Sequence, residues 1–212
     1  MKNKYLPLII IGIAVIIGVI FFMQSEDKTV KKVEDSAENL SSIKRIYEGN
    51  KDAKITIIAY ESLTCGHCAD FHKDIYPELK KEFIDTGIVK LEFRHFPLDL
   101  AAFNASKIAQ CNNDGKSNLL HLLYQNQSKW VKGETVEDAN TNLKKLLKDE
   151  DINLNFNKCT SDKNIEDYIL NDRIEGVKKF KVNATPTIII NNKKFDKPLI
   201  YKNLKKSLEK LI

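Results

Sequence analysis

Two cysteines separated by two residues, in the motif Cys65-Gly66-His67-Cys68, are the residues of this sequence best suited to chemistry. Cysteines at this spacing can close a small ring, so they can cycle between a dithiol and a disulfide. An apolar run over 54–60 precedes them and predicts a buried strand, and helical spacing follows them. A Cys-x-x-Cys motif between a strand and a helix predicts thiol–disulfide redox chemistry.

The position of the motif predicts different roles for its two sulfurs. A thiolate is the attacking species in disulfide exchange, and the free N–H groups and dipole of a helix N-terminus favour an anion there. We therefore expect Cys65 to form a mixed disulfide with a substrate protein and Cys68, one turn into the helix, to resolve it. Gly66 would let a substrate chain approach, and His67, when protonated, would tune the potential.

Two other interpretations of the motif are a static disulfide and half of a zinc site completed by His72. Structural zinc requires four ligands, and no second Cys/His pair lies nearby in the sequence. We therefore expect neither a metal nor another cofactor at these cysteines.

The elements around the motif predict an α/β fold. Apolar residues four apart follow the motif and predict a helix that Pro77 should kink and that Gly87 ends. A second strand over 88–93 completes a β-α-β unit with parallel strands. The remaining predicted elements are a mostly helical block over about 100–180, a strand over 187–190, a turn at Asn191-Asn192, a short strand over 193–195 and a terminal helix.

Residues 5–23 form an uncharged apolar stretch that spans roughly 28 Å as a helix, close to the thickness of a bilayer core. The alternative is a cleaved signal peptide, whose apolar region is usually only about 7–15 residues long. We expect an uncleaved signal anchor, with Lys2 and Lys4 on the cytoplasmic side and the rest of the chain outside, where disulfides persist. The predicted divisions are a cytoplasmic stub (1–4), a transmembrane signal anchor (5–23), a charged tether (24–45) and a globular domain (46–212).

The charge pattern argues against a nucleic-acid site. The formal net charge is +5, and 30% of the residues are charged. Lysines and acids are interspersed, without a long basic block, which is typical of a solvated surface.

Motifs in three parts of the chain together resemble the thioredoxin superfamily, and more narrowly the DsbA-type thiol:disulfide oxidoreductases of bacterial envelopes. They are the entry from a strand through Cys-x-x-Cys into a helix, the long helical insertion, and Ala184-Thr185-Pro186-Thr187 before a strand. The likeness covers 46–212 and includes Gly49-Asn50 and the stretch Arg94-His95-Phe96-Pro97-Leu98. It implies a thioredoxin fold with a helical insertion over about 100–180, preceded here by one transmembrane helix.

The resemblance implies that Thr185 precedes a cis proline, Pro186, which faces the cysteines. The Thr185 backbone would then pair with an extended substrate peptide; the alternative is an ordinary trans proline that opens a strand. Two features depart from the family. Gly-His replaces the frequent Pro-His between the cysteines, and Ala59 occupies the position of a buried carboxylate. Glu61 would face the same side of the strand, and whether it or a water accepts the proton of Cys68 is open.

Cys111 and Cys159 lie in the helical insertion, and an even cysteine count in an oxidising compartment favours their pairing. We predict a structural disulfide that closes a loop of roughly 50 residues and contributes about 4 kcal/mol. The alternative is a pair of free buried thiols. His95, His121 and Trp130 are assigned to packing.

The leading hypothesis is a membrane-anchored enzyme that oxidises cysteine pairs of exported proteins. By resemblance its reoxidant would be a membrane protein of the DsbB type, and a cleaved segment would instead leave it soluble in the periplasm or secreted. One alternative is an envelope disulfide reductase or isomerase, although the short tether has no room for the dimerisation domain that isomerases add. Another is a redox-silent binding or chaperone module, which the intact Cys65, His67 and Cys68 disfavour.

Overall fold

The computed structural model of the protein describes residues 42–212. The predicted stub (1–4), the predicted membrane anchor (5–23) and the tether up to residue 41 lie outside the described residues. Within 42–212, none of the helices combines the length and the apolar character needed to cross a bilayer.

A mixed sheet organises the described part of the chain. Its strand order is β1-β3-β2-β4-β5. The β2–β3 pair is parallel, as the β-α-β pattern predicted, whereas β4 lies antiparallel on the other side of β2. The strands are β1 (Tyr47–Glu48), β2 (Ile55–Glu61), β3 (Val89–His95), β4 (Thr187–Ile190) and β5 (Lys193–Lys194).

The central strand β2 is buried along almost its whole length because layers cover both faces of the sheet. This burial explains its continuous apolar run. The edge strand β1 was not predicted, since two residues are too short to show an alternating pattern. The predicted turn at Asn191 and Asn192 joins β4 to β5, and both residues have positive φ (45° and 65°), which a tight hairpin of this kind requires.

The helix that follows the motif is irregular. It consists of α1 (Gly66–Asp70), a π-helical turn (Phe71–Ile75), α2 (Tyr76–Leu79) and a second π-helical turn (Lys80–Ile84). Pro77 lies in the first turn of α2. Ile75, the residue that precedes this helix, has φ of −115°. The first π-helical turn follows from the proline ring, which supplies no N–H and crowds the preceding turn.

The predicted helical block lies between β3 and β4. A disulfide joins Cys111, immediately after α3, to Cys159 in α7, with the Cα atoms 5.5 Å apart. The indole of Trp130 is fully buried and donates a hydrogen bond to the Leu123 carbonyl. The helices of the block are α3 (Leu100–Gln110), α4 (Asn118–Gln125), α5 (Gln127–Trp130), α6 (Val136–Asp149), α7 (Phe156–Ser161) and α8 (Lys163–Phe180), and α9 (Tyr201–Leu208) follows β5.

Helix α8 packs on the sheet through Gly176 and Asp172. A Cβ at Gly176 would lie only 2.8 Å from the Tyr60 ring, so a glycine permits the close approach of α8 to β2. The buried Asp172 carboxylate accepts hydrogen bonds from Arg94 on β3 and from Arg45. It also accepts one from the backbone N–H of His95 (3.2 Å), and so holds the end of β3.

Candidate active site

Cys65 lies at the N-terminus of α1, in the position predicted for it. Its backbone is extended (φ −78°, ψ 119°), and its carbonyl accepts the first helical hydrogen bonds, from the N–H groups of Cys68 and Ala69. The cysteine therefore occupies the N-cap, where the unpaired N–H groups of the first turn face its side chain.

The helical block holds the loop that connects β2 to the motif. Thr64 donates a hydrogen bond to Asp99, which also caps α3 by accepting one from the Ala102 N–H. Gln127 of α5 donates to the carbonyls of Leu63 and Cys65, at 2.8 and 3.0 Å. The block is thus part of the frame that fixes the Cys65 backbone.

The two sulfurs of the motif are in different environments. Cys65 is partly exposed, whereas Cys68 is fully buried, and the two are not bonded to each other in the structure. A hydrogen bond from Cys68 is the largest cause that lowers the pKa of Cys65; burial opposes it, and Thr185 and the N–H groups of Cys68 and His67 assist it. The resulting pKa of Cys65 is about 5.

Burial raises the pKa of Cys68 far above its usual value, and the neighbouring Cys65 and the Glu61 carboxylate raise it further. Near neutral pH the pair therefore consists of a Cys65 thiolate and a Cys68 thiol. Such a pair suits disulfide exchange, because the exposed sulfur is the nucleophile and leaving group while the buried sulfur stays protected.

The structure leaves the helix side of the motif open. A Cβ at Gly66 would meet nothing within 4 Å, which agrees with room for a substrate chain. The His67 side chain is 87% exposed and lies 3.6 Å from Asp70. His67 lowers the pKa of Cys65 through its backbone N–H; a contribution from its ring charge stays a prediction.

Thr185 lies against Cys65, although it is 120 residues away in the sequence. The Cys65 Sγ is 3.3 Å from the Thr185 carbonyl oxygen, and the Thr185–Pro186 peptide bond is cis, the conformation that the resemblance implies. The Thr185 hydroxyl is buried. It is close enough to the Cys65 sulfur to lower its pKa.

A groove of about 550 Å³ runs beside the motif and includes Pro186 in its wall. Its other walls come from His67 and from the irregular helix and the segment before α9, including Phe71, Leu199 and Ile200. Ile200 is half exposed. The groove offers apolar surface to a chain that approaches Cys65.

A buried chain of polar side chains lies behind Cys68, and the sequence analysis missed it. Glu61 Oε2 lies 2.8 Å from His72 Nε2, and His72 Nδ1 lies 2.9 Å from His121 Nδ1. His121 Nε2 in turn lies 2.6 Å from Glu48 Oε1. Both ring nitrogens of His72 are therefore engaged. His121, which the sequence analysis assigned to packing, also takes part in this hydrogen-bonded chain.

Comparison with known proteins agrees with the geometry of the site. The family model described as Thioredoxin matches residues 41–210. A putative protein-disulfide oxidoreductase of Rickettsia bellii is 32% identical over 147 residues, which cover 68% of this chain and 55% of that protein. The chain therefore spans about half the length of that relative. Probable disulfide bond formation protein D of Bacillus cereus is 29% identical over 97% of this chain and 99% of its own length.

A solved structure is similar as well. The alpha-DsbA1 protein of Wolbachia pipientis aligns with a TM-score of 0.71 and 29% sequence identity. The alignment covers 79% of this chain and 90% of that one.

Proposed function

This chain is a DsbA-like member of the thioredoxin family, and from that premise we propose that it is a thiol:disulfide oxidoreductase that oxidises cysteine pairs of exported proteins. The observation that carries the proposal is the unequal protonation of the two sulfurs. The pKa of Cys65 is lowered to about 5, while that of the buried Cys68 is raised. Stabilising the Cys65 thiolate favours the reduced pair. The disulfide form is therefore a stronger oxidant than that of a pair whose thiolate is not stabilised.

The reaction proceeds through a mixed disulfide at Cys65. A substrate thiolate attacks the Cys65 sulfur, the Cys65–Cys68 bond breaks, and Cys68 leaves as a thiolate that takes up a proton. A second substrate thiolate then attacks the substrate sulfur of the mixed disulfide, and Cys65 leaves as a thiolate. The substrate gains a disulfide, and its two electrons remain on the Cys65–Cys68 dithiol.

Thr185, Pro186 and the adjacent groove bind the substrate chain. The Thr185 backbone lies next to the reacting sulfur, where an extended peptide can pair with it by strand addition. The apolar walls at Phe71 and Leu199 suit a substrate in an unfolded or reduced state, whose apolar side chains are accessible.

The proposed location is the outer side of the cell membrane, with 5–23 as the anchor. The uncharged apolar run of 5–23 supports the anchor, and the Cys111–Cys159 disulfide agrees with an oxidising compartment. Each catalytic cycle leaves the dithiol reduced, so a reoxidant is required; by resemblance it is a membrane protein of the DsbB type.

Trapping of the mixed disulfide tests the proposed function. In the Cys68→Ala variant the Cys65 thiolate still forms a mixed disulfide when it attacks a substrate disulfide, the reverse of the second step. No Cys68 thiol can then release the substrate by closing the Cys65–Cys68 bond, so we expect this variant to accumulate disulfide adducts with exported proteins in the membrane fraction. The matched Cys65→Ala variant lacks the attacked sulfur and should form none. Diagonal electrophoresis of acid-quenched cells measures both.

The reduction potential separates an oxidase from a reductase. We expect purified wild-type protein to oxidise a reduced test protein and to have a potential nearer to about −120 mV than to about −270 mV. A potential near the lower value would instead assign the protein as a reductase. Adducts that form equally well in the Cys65→Ala variant would contradict the mechanism.

A further inference from the structure

Four side chains make an unbroken hydrogen-bonded path from a buried carboxylate near the motif, that of Glu61, to the protein surface. The path runs from Glu61 at the end of β2, through His72 and His121, to Glu48 on β1, with contacts of 2.8, 2.9 and 2.6 Å. The side chains of Glu61 and His72 are each only 3% exposed, whereas those of His121 and Glu48 are 14% and 12% exposed. The outer two side chains are therefore more exposed than the inner two.

The inner end of this path points to the motif. Glu61 is close enough to Cys68 for its charge to raise the pKa of that thiol. The second oxygen of Glu61, Oε1, is buried and has no hydrogen-bond partner among residues 42–212. A buried carboxylate oxygen without a partner is costly. Oε1 makes no hydrogen bond to Cys68 in this structure, and it is the Glu61 atom that remains available to exchange a proton with that residue.

The outer end lies in a cleft of about 1050 Å³ that Glu48 and His121 line. Ser117 and Tyr76 donate hydrogen bonds to Glu48 (2.6 and 2.7 Å), and the Lys80 ammonium is 3.5 Å away. Burial alone would raise the pKa of Glu48, but the hydrogen bonds, with that from His121 first, lower it to about 2. The outer carboxyl therefore stays ionised near neutral pH.

Proton counting shows that the path can conduct. Each of the three contacts needs one proton between its two heavy atoms, because two facing lone pairs would repel. A concerted shift of the three protons therefore moves one proton between the two ends of the path.

The rings along the path are held in place. The His72 ring stacks on Tyr124, with centroids 4.0 Å apart and an angle of 17° between the planes. The His121 ring lies against that of Tyr76, with centroids 4.3 Å apart. Such packing keeps the donor and acceptor atoms aligned for transfer.

We propose that Glu61, His72, His121 and Glu48 form a proton relay between the Cys68 sulfur and the cleft at Glu48. The proposal deepens the proposed function and rests on it. When the Cys65–Cys68 bond breaks, the Cys68 thiolate takes a proton from Glu61 and becomes a thiol. A proton that enters at Glu48 from solvent replaces it through the three-proton shift. Reoxidation runs the same relay outward, and His72, His121 and Glu48 act only through Glu61.

A single-turnover assay with glutathione tests the relay. The His121→Ala variant removes the middle of the path, and we expect reduction of the Cys65–Cys68 disulfide by glutathione to slow by roughly 100-fold, the lower end of what a positioned general acid supplies. Free imidazole should restore the rate, because the vacated site opens into the cleft. The matched control is Gln125→Ala, one turn further along α4 in the wall of the same cleft, and it should react like the wild type.

The solvent isotope effect separates a relay from a structural cluster. In mixtures of H2O and D2O, a plot of the wild-type rate against the D2O fraction should be curved, because several protons move together. The plot for the variant should be a straight line. A slow variant that imidazole does not restore, with an unchanged isotope effect, would overturn the proposal. If the His121→Ala variant fails to fold, Glu48→Gln provides the second test, since an amide of the same shape cannot relay the proton and should cause the same loss.

The glutathione assay also separates the relay from the proposed function. Any reactive Cys-x-x-Cys pair exchanges with glutathione, whichever direction it serves in the cell. A wild-type protein that exchanges rapidly but does not oxidise proteins would contradict the proposed function and leave the relay intact. Variants as fast as the wild type would contradict the relay and leave the proposed function intact.

Discussion

At the scale of single residues, the position of each sulfur along one helical turn determines its protonation. Cys65 is the N-cap of α1, so backbone N–H groups and the Cys68 thiol stabilise its thiolate. Cys68, three residues later, is already inside the core and close to the Glu61 carboxylate, so its neutral form is favoured. The chemical difference between two identical side chains is therefore created by the backbone that places them.

This difference makes the stability of the reduced protein depend on pH. The pKa of Cys65 is about 5 in the folded protein and 9.0 for an ordinary cysteine. Between these values the unfolded chain binds more protons than the folded one, so the folded reduced form gains stability as the pH rises. We expect its unfolding temperature, relative to that of the oxidised form, to fall as the pH is lowered from about 9 to about 5.

Thermal unfolding of both redox forms across this range measures the effect, and the absorbance of the thiolate gives the midpoint independently. The control is the Cys65→Ser variant, which cannot form the Cys65–Cys68 disulfide and whose serine does not ionise in this window. The reduced wild type should therefore lose stability relative to this variant as the pH is lowered. A difference between the redox forms that stays constant from pH 9 to pH 5 would contradict a stabilised Cys65 thiolate.

At the scale of secondary-structure elements, the buried Asp172 carboxylate connects α8 to the end of β3. Arg94 on β3 is about nine-tenths buried, and it also pairs with Glu92 and Glu175. Its guanidinium can be accommodated there only because these carboxylates offset its loss of hydration. The network holds the strand that pairs with β2 and thereby supports the strand that leads into the motif.

Removing the central charge should destabilise the protein strongly. We expect Asp172→Asn to lower the free energy of unfolding by about 3 kcal/mol, the lower end of the range for breaking a buried ion pair, because Arg94 keeps its other two partners. Urea denaturation measures it. The control is Asp167→Asn on the exposed side of the same helix, for which a change within about 0.5 kcal/mol is expected. Equal losses of unfolding free energy in the two variants would show that the buried Asp172 charge contributes no more to stability than an exposed one.

Whether an element can be predicted from the sequence depends on how far apart in the chain its interacting residues lie. The buried strand β2 and the helix after the motif follow from local patterns, and the structure confirms both. The two-residue strand β1 carries no such pattern, and the contact between His72 and His121 joins residues 49 positions apart. Thr185 was placed beside the motif only by resemblance to a known family, because no local pattern connects two residues 120 positions apart.

At the scale of the whole molecule, the helical block both covers the sheet and holds the active-site loop, so its own cohesion matters. The Cys111–Cys159 disulfide joins the end of α3 to α7 across a sequence separation of 48. Helix α3 begins at the Asp99 cap that also binds Thr64 near the motif. The disulfide thus restrains the same helix whose other end supports the Cys65 loop.

Removal of this disulfide should destabilise the protein without removing its redox chemistry. A loop of this size corresponds to about 4 kcal/mol of chain entropy in the unfolded state, so we expect the Cys111→Ala/Cys159→Ala variant to lose about that free energy of unfolding. Exchange of Cys65 with glutathione should persist under native conditions, because neither replaced residue contacts the motif sulfurs.

Urea denaturation and the single-turnover assay measure the two quantities on the same preparations. The Cys65→Ala/Cys68→Ala variant is the matched control, since it retains the Cys111–Cys159 bridge and should lose stability when dithiothreitol is added. Loss of exchange in the folded bridge-less variant would instead place this disulfide within the redox path.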